Sequence, residues 1–300
     1  MQIQRIQEKC IGCMRCVDDC VSGVWRIEDG VPTVSAPESC NLCSHCLAVC
    51  PQKAILHAGL DMSQIKRVVR KKIDPEAYKQ IVLSRRSVRQ FQNRPLNRSD
   101  LEAIIGLSSY SPTASNSQHV EYIVIADKIR LLEISRIIFS TARTIYDWSI
   151  SKPGKFVFNG LRMNSGLAKM MEKYIEPMEY YMALQESGRD LILHNAPVLI
   201  VLHGPAVSFF ASDNCNIAAA NICNYAHSMG LGTCFIGFVT LSSRFSKKLC
   251  SLIELPKGRT IYSSLVVGYP KYSFAYTVSR KPPKIQWLMD STDAAGEKFW

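Results

Sequence analysis

Twelve cysteines stand in this 300-residue chain. Eight of them fall in the first fifty positions: Cys10, Cys13, Cys16 and Cys20 are repeated as Cys40, Cys43, Cys46 and Cys50, and Pro51 follows the second set. Both runs read C-x2-C-x2-C-x3-C. Thiolates at that spacing suit a cuboidal iron–sulfur cluster, because a short loop closes three of them on one cubane while the fourth crosses to the other. The spacing therefore predicts two [4Fe–4S] clusters, one on Cys10, Cys13, Cys16 and Cys50, the other on Cys40, Cys43, Cys46 and Cys20. Zinc suits the pattern less well, since tetrahedral sites favour two C-x2-C pairs parted by a longer spacer. A disulfide framework would need an oxidising compartment, and the opening MQIQRIQEKC has no apolar run to serve as a secretory signal. Cys215, Cys223, Cys234 and Cys250 follow no ligand spacing and read as small buried apolar residues.

The duplicated run resembles the bacterial two-cluster ferredoxin family, with one departure where Val21 replaces the proline often found after the fourth cysteine. Such a module accounts for residues 1–62 and leaves a larger second domain with its own core. Charge divides the same way. Residues 1–60 carry five Lys/Arg and six Asp/Glu, a net of −1; the whole chain has 36 and 25, so the remainder holds 31 and 19, a net of +12. A near-neutral ferredoxin-like module beside a basic domain reads as a fixed relay rather than a diffusing carrier. No stretch approaches the roughly 20 consecutive apolar residues of a membrane span, which points to a cytoplasmic protein without membrane contact. Nucleic-acid binding is disfavoured as well, because no recognition fold or aromatic-interleaved basic stripe accompanies the charge.

The elements that must position any second site are legible in outline. Residues 63–74 form a basic linker that includes Lys66, Arg67, Arg70, Lys71 and Lys72. Asp74-Pro75 then gives an N-cap and a first-turn proline for a helix reaching about Ser84. A capping box at Ser99-Asp100-Leu101-Glu102 predicts a helix to about Ser109, and a strand follows over Val120–Ala126. Leu161–Leu184 reads as helix. A buried strand is expected at Pro197–His203, a helix at Asn214–Met229, a further segment at Thr233–Phe238, a helix at Ser242–Leu252 and a strand at Ile261–Gly268. No thirty-residue βαβ period emerges, so residues 75–300 read as an α+β domain rather than a doubly wound sheet. The glycines Gly230, Gly232 and Gly237 make no dinucleotide fingerprint.

Arg85, Arg86, Ser87 and Arg89 put three guanidiniums and a hydroxyl within five residues, just past a helix. Forked donors of this kind pair well with a phosphomonoester, although alone such a run reads more readily as a solvated surface stretch. It does not stand alone. RRSVRQF is followed in order by SPTASNSQ, GLGTCFIG and VVGYPKYSFAYTVSRKPP, and over about residues 75–285 this series resembles the nitroreductase family of FMN enzymes. The whole chain resembles a ferredoxin–nitroreductase fusion.

That resemblance implies a three-layer α+β fold, an obligate homodimer and two FMN sites at the dimer interface. It implies that Arg85, Arg86, Ser87 and Arg89 hold the phosphate, ribityl chain and pyrimidine edge of FMN, with Arg280 and Lys281 closing on the phosphate. Pro112, Thr113 and Ala114 would meet the ring from the partner subunit, beside Asn116 and Gln118, and Ile236 and Gly237 would lie near flavin N5. Between the G-Y-P turn and Arg280, the stretch Phe274–Val278 lacks a basic residue that relatives of this fused type often carry, which throws more weight on Arg280 and Lys281. The Ala- and Cys-rich helix Asn214–Met229 is the candidate centre of the dimer interface. Six single histidines read as structural, and Met170, Met171, Tyr174, Met178, Tyr180, Tyr181 and Met182 as core packing or, by the resemblance, a region that covers the flavin. No catalytic residue is identified.

Together these readings predict an FMN- and iron–sulfur-dependent oxidoreductase. Two [4Fe–4S] clusters would relay single electrons to FMN, which reduces a small electron-poor acceptor (a nitro compound, quinone or activated alkene) by two. An acidic ferredoxin or flavodoxin is the expected donor. The competing readings are a dehydrogenase running the flow in reverse into the clusters, and a non-catalytic redox carrier or sensor.

Overall fold

The computed structural model describes residues 2–153 and 178–288. The N-terminal module is built from two two-stranded sheets. Strand β1 (Ile3–Arg5) pairs antiparallel with β4 (Ile55–His57), and β2 (Trp25–Glu28) with β3 (Val31–Val34). Two single-turn helices, α1 (Arg15–Asp18) and α2 (His45–Val49), each follow a cysteine-rich loop. Ile3, Val24, Trp25, Leu47 and Ile55 form its small core, with Cys16, Cys20, Cys40, Cys46 and Cys50 packed against it.

The larger part is α+β, as the sequence implied. Its four-stranded sheet has the order β5 (Glu121–Ile125), β6 (Val198–Pro205), β8 (Arg259–Gly268), β7 (Gly232–Phe235), every pair antiparallel. Strand side chains alternate between faces, and β6 shows how both faces are used. Leu199 and Val201 join Leu131, Ile134 and Ile138 of the helix α5 (Lys128–Ile150) on one side. Val198, Ile200 and Leu202 meet Leu101 and Ile104 of α4 (Arg98–Ser108) on the other. Helices on both faces make three layers. The continuous apolar run of β6 follows, because a strand covered twice has no solvent face.

Local chemistry sets most helix ends. Helix α3 (Pro75–Ser84) begins as expected, with the Asp74 carboxylate accepting from the Glu76 N–H at 3.0 Å. The capping box at Ser99 does not form: Asn97, extended at φ −71°, is the N-cap, and Ser99 lies inside the first turn. The helix expected at Ser242–Leu252 is two. One runs Gly237–Ser243, and the other, Lys247–Ile253, starts where the Ser246 hydroxyl accepts from the Leu249 N–H. Phe238 thus belongs to a helix and not to the preceding strand. Helix α5 was not anticipated, although Asp127 caps it and Leu131, Ile134 and Ile138 mark its inner face. The helix Ala211–Ser228 turns its Ala and Cys residues, including Cys215, Ala218, Ala219 and Cys223, onto its own sheet. That face is buried in the chain's own core, and Ile217 on the same helix is exposed. The reading of Leu161–Leu184 falls mostly outside the described residues, which include only the helix Met178–Glu186 from that stretch. Among the described residues no helix is long and apolar enough to cross a membrane.

Candidate functional site

Three segments far apart in sequence meet at the basic loop. Leaving α3, the chain turns extended at Arg85, Ser87 bridges to Thr233, and the Val88 N–H donates to the Thr233 carbonyl at 2.9 Å. Val88 is buried against Gly232, where a Cβ would stand 2.7 Å from Val88 Cγ2, so only glycine allows the approach. Farther along, the Gln92 N–H donates to Tyr269 and the Lys271 N–H to Gln90, each at 2.9 Å. RRSVRQF is thereby laid between β7 and the chain leaving β8.

Arg86 is the best-defined residue of the loop. Its Nη1 donates to the Leu83 and Arg85 carbonyls at 2.8 and 2.6 Å, and its Nη2 to the Tyr276 carbonyl at 3.3 Å. Its Nε is buried with no partner. A buried donor without an acceptor costs about 1–3 kcal/mol, more when charged, and a phosphate oxygen would supply the missing acceptor. The residues present therefore fit the FMN phosphate. Arg280 and Lys281 are exposed, and Arg280 donates to its own neighbour, Ser279. Among the described residues no hydrogen bond or ion pair joins either to the loop; Tyr276 makes that connection instead.

The loop Pro112–Gln118 is held from below. Buried Asn214 accepts from the Ala114 N–H at 3.1 Å and donates to Ser117 Oγ at 3.4 Å, while Thr113 Oγ1 accepts from the Gln118 N–H. Ser115, Asn116 and Gln118 adopt left-handed backbone, φ 53°, 51° and 49°. Asn116 Nδ2 also donates to the Asn41 carbonyl at 2.9 Å, tying this loop to the N-terminal module. Across the sheet edge, the Ile236 N–H is already committed to the Ser264 carbonyl at 2.8 Å. Gly237, at the first position of its helix, is the exposed residue of the pair.

A cavity of about 310 Å³ lies beside the loop, lined by Arg89, Phe139, Tyr181, Arg189, His194 and Phe238 among others. Sequence reading found Arg89 but missed Phe139, Arg189 and His194. The segment Asp190–Ala196 explains the placement. Asp190, 6% exposed, accepts from Ser135 Oγ at 2.6 Å and from the Ile192 and Leu193 N–H groups at 2.8 and 3.0 Å. This staple lets the chain turn through left-handed His194 and Asn195 into β6. Burial lowers the His194 pKa; Asp190 opposes the shift, and the Arg89 and Arg189 charges add to it. His194 is therefore neutral near pH 7.

The cysteines of the N-terminal module separate into the two expected sets. Cys10, Cys13, Cys16 and Cys50 line one cavity, and Cys20, Cys40, Cys43 and Cys46 another, with Trp25 between them. The expectation of two [4Fe–4S] clusters is nevertheless corrected: among the described residues no group of three or more His, Cys, Asp or Glu side chains could hold a metal ion. Burial pushes the Cys16 thiol up to about 11 and Cys46 in the same direction. The iron–sulfur relay, the iron–sulfur dependence and the reading as a fusion with a two-cluster ferredoxin lose their support with it. What stands is a nitroreductase-like domain behind a small region that resembles a ferredoxin in fold.

A sequence model described as the nitroreductase family matches residues 82–269, and one described as a 4Fe-4S dicluster domain matches residues 9–55. An Archaeoglobus fulgidus protein, whose name offers NADH dehydrogenase or NAD(P)H nitroreductase, is 22% identical over 64% of this chain and 84% of its own length. An uncharacterized ferredoxin of Methanocaldococcus jannaschii is 43% identical over 17% of this chain and 69% of its own. Among solved structures, a nitroreductase with bound FMN from Bacteroides fragilis has a TM-score of 0.51 at 16% identity, covering 71% of this chain and 98% of its own. One from Desulfitobacterium hafniense, also with bound FMN, has a TM-score of 0.51 at 19% identity, with the same coverage. At these identities the likeness is one of fold.

Proposed function

The chain belongs to the nitroreductase family, and from that premise we propose that it is an FMN-dependent oxidoreductase acting on a small electron-poor acceptor. The catalytic domain is assigned to residues 75–300, behind the module 1–62 and the linker 63–74. Arg86 carries the reading: a guanidinium fixed by three backbone carbonyls keeps one buried donor unfilled. Arg85 and Arg86 hold the phosphate, Ser87 and Arg89 the ribityl chain and pyrimidine edge, and the Gly237 amide faces the ring. Arg280 and Lys281 add charge to the phosphate once their segment closes over it. FMN, when bound, supplies a hydride at N5. A nitro acceptor takes up two electrons and two protons and leaves as a nitroso compound and water.

The Pro112–Ala114 loop, with Asn116 and Gln118, completes the site of a partner subunit in a homodimer. The reading is supported by exposed apolar side chains near β7 and the helix after it, Phe235, Leu241 and Phe245. The donor is proposed to be an acidic ferredoxin or flavodoxin docking on Lys66, Arg67, Arg70, Lys71 and Lys72, all exposed. Opposite charge steers such encounters, and salt screens them. The absence of a membrane-spanning helix among the described residues is consistent with a cytoplasmic location.

The test is purification under FMN, release of flavin by denaturation, and steady-state turnover of nitro and quinone acceptors. About one FMN per chain with repeated turnover is expected. A protein that binds no FMN, or one whose flavin is reduced once without turnover, overturns the proposal.

A further inference from the structure

The cavity beside the basic loop holds more positive charge than its own carboxylates answer. Arg89 and Arg189 both line it, and among the described residues neither forms an ion pair with a carboxylate. Asp190, the acidic neighbour, is buried and already accepts three hydrogen bonds from Ser135, Ile192 and Leu193. Apart from His194, which is neutral near pH 7, the rest of the wall is apolar or aromatic, including Phe139, Tyr181 and Phe238. At about 310 Å³ the space lies at the lower end of small-molecule sites, which run to roughly 300–1,000 Å³. It suits one substituted ring rather than a nucleotide.

We propose that this cavity selects planar aromatic acceptors bearing a carboxylate, with Arg189 pairing the carboxylate and the aromatic side chains covering the ring. The inference rests on the reading of the chain as an FMN reductase and adds the substrate class. Arg89 belongs to the flavin in that reading, which leaves Arg189 as the cation with no other assigned role. Its position supports the assignment. It is exposed, lines the cavity at the start of the Asp190 staple, and its own N–H donates to the Leu184 carbonyl at 3.1 Å. An anion reaching it leaves water at one end only, while its ring enters the apolar part. A forked guanidinium meets both carboxylate oxygens at once, which an amide in the same place cannot exploit. A carboxylate taken among apolar walls without such a partner would be strongly disfavoured.

The experiment is calorimetric titration of the purified, FMN-supplemented protein with benzoate and with neutral benzamide, neither of which is reduced. Benzoate is expected to bind roughly tenfold to a hundredfold more tightly, the worth of one charged, forked pair. Arg189→Gln should erase that preference and Arg189→Lys should keep part of it, with benzamide binding changed less than about twofold in either. Equal binding of the two ligands, or a preference that survives Arg189→Gln, overturns the inference. If neutral nitrobenzene is turned over but benzoate shows no advantage, only the substrate class fails. If the protein holds no FMN, the underlying function fails, and the benzoate preference is still read independently by heat.

Discussion

Replacing Arg86 by alanine should weaken FMN binding far more than riboflavin binding. The side chain spends three donors on the carbonyls of Leu83, Arg85 and Tyr276 and keeps Nε buried and unpartnered. Those carbonyl bonds fix the plane of the guanidinium before ligand arrives, so little side-chain freedom is lost on binding. A charge-assisted hydrogen bond contributes about 1.5–3 kcal/mol, and each 1.4 kcal/mol is a factor of ten. Removal of the side chain should therefore raise the Kd for FMN by roughly tenfold to a hundredfold or more. Riboflavin lacks the phosphate, so its Kd should move less than about threefold. Arg86→Lys should fall between, because one ammonium cannot serve three carbonyls and a phosphate in the fixed geometry of the fork. The assay is quenching of flavin fluorescence on titration of apo-protein, with circular dichroism to confirm the fold. Parallel losses for FMN and riboflavin, or an unchanged FMN Kd, would refute the phosphate assignment.

Gly232→Ala should lower thermal stability by about 1–3 kcal/mol, because its Cβ would lie 2.7 Å from Val88 Cγ2; Val88→Ala in the same chain should restore part of the loss, and additive effects would contradict the contact. Asn214→Ala should cost about 1–3 kcal/mol by stranding the Ala114 N–H, and hydrogen exchange should quicken in residues 113–118 before it does elsewhere. Stability should fall as pH drops below 6.5. Burial, helped by Arg259, holds His203 below that value in the fold against the pull of Glu121, so the unfolded chain takes the proton first. His203→Gln should flatten the melting temperature between about pH 7 and 5, and an unchanged slope would assign the acid sensitivity to other groups.

What the sequence could show depended on how local the determining chemistry was. Asp74-Pro75 opens α3 at the expected residue because cap and proline act within one turn. Asn97 and Ser99 are both good caps two positions apart, and the backbone at Asn97 decided between them. Between Phe238 and Ile253 the chain has no proline or glycine to announce its break near Ser246, whose hydroxyl cap is visible only once the Leu249 N–H is placed against it. RRSVRQF was legible as a string, yet its partners Thr233, Pro270 and Lys271 lie more than a hundred residues away, and only the fold brings them into register. His194 carries no motif. Its place in the cavity follows from the buried Asp190 staple and a left-handed turn, neither of which leaves a periodic mark in sequence. The duplicated cysteine runs were the strongest local signal, and each set lines one cavity, but among the described residues no group of three or more such side chains could hold a metal ion.

The most direct test of the central claim is a single-turnover mixing experiment without oxygen. The FMN-loaded protein is photoreduced and mixed with one equivalent of a neutral nitroarene or quinone while flavin absorbance is followed. The account predicts full return of oxidised flavin absorbance with one acceptor consumed per FMN, repeated on each new cycle of reduction. Absorbance that stays bleached in excess acceptor would contradict it.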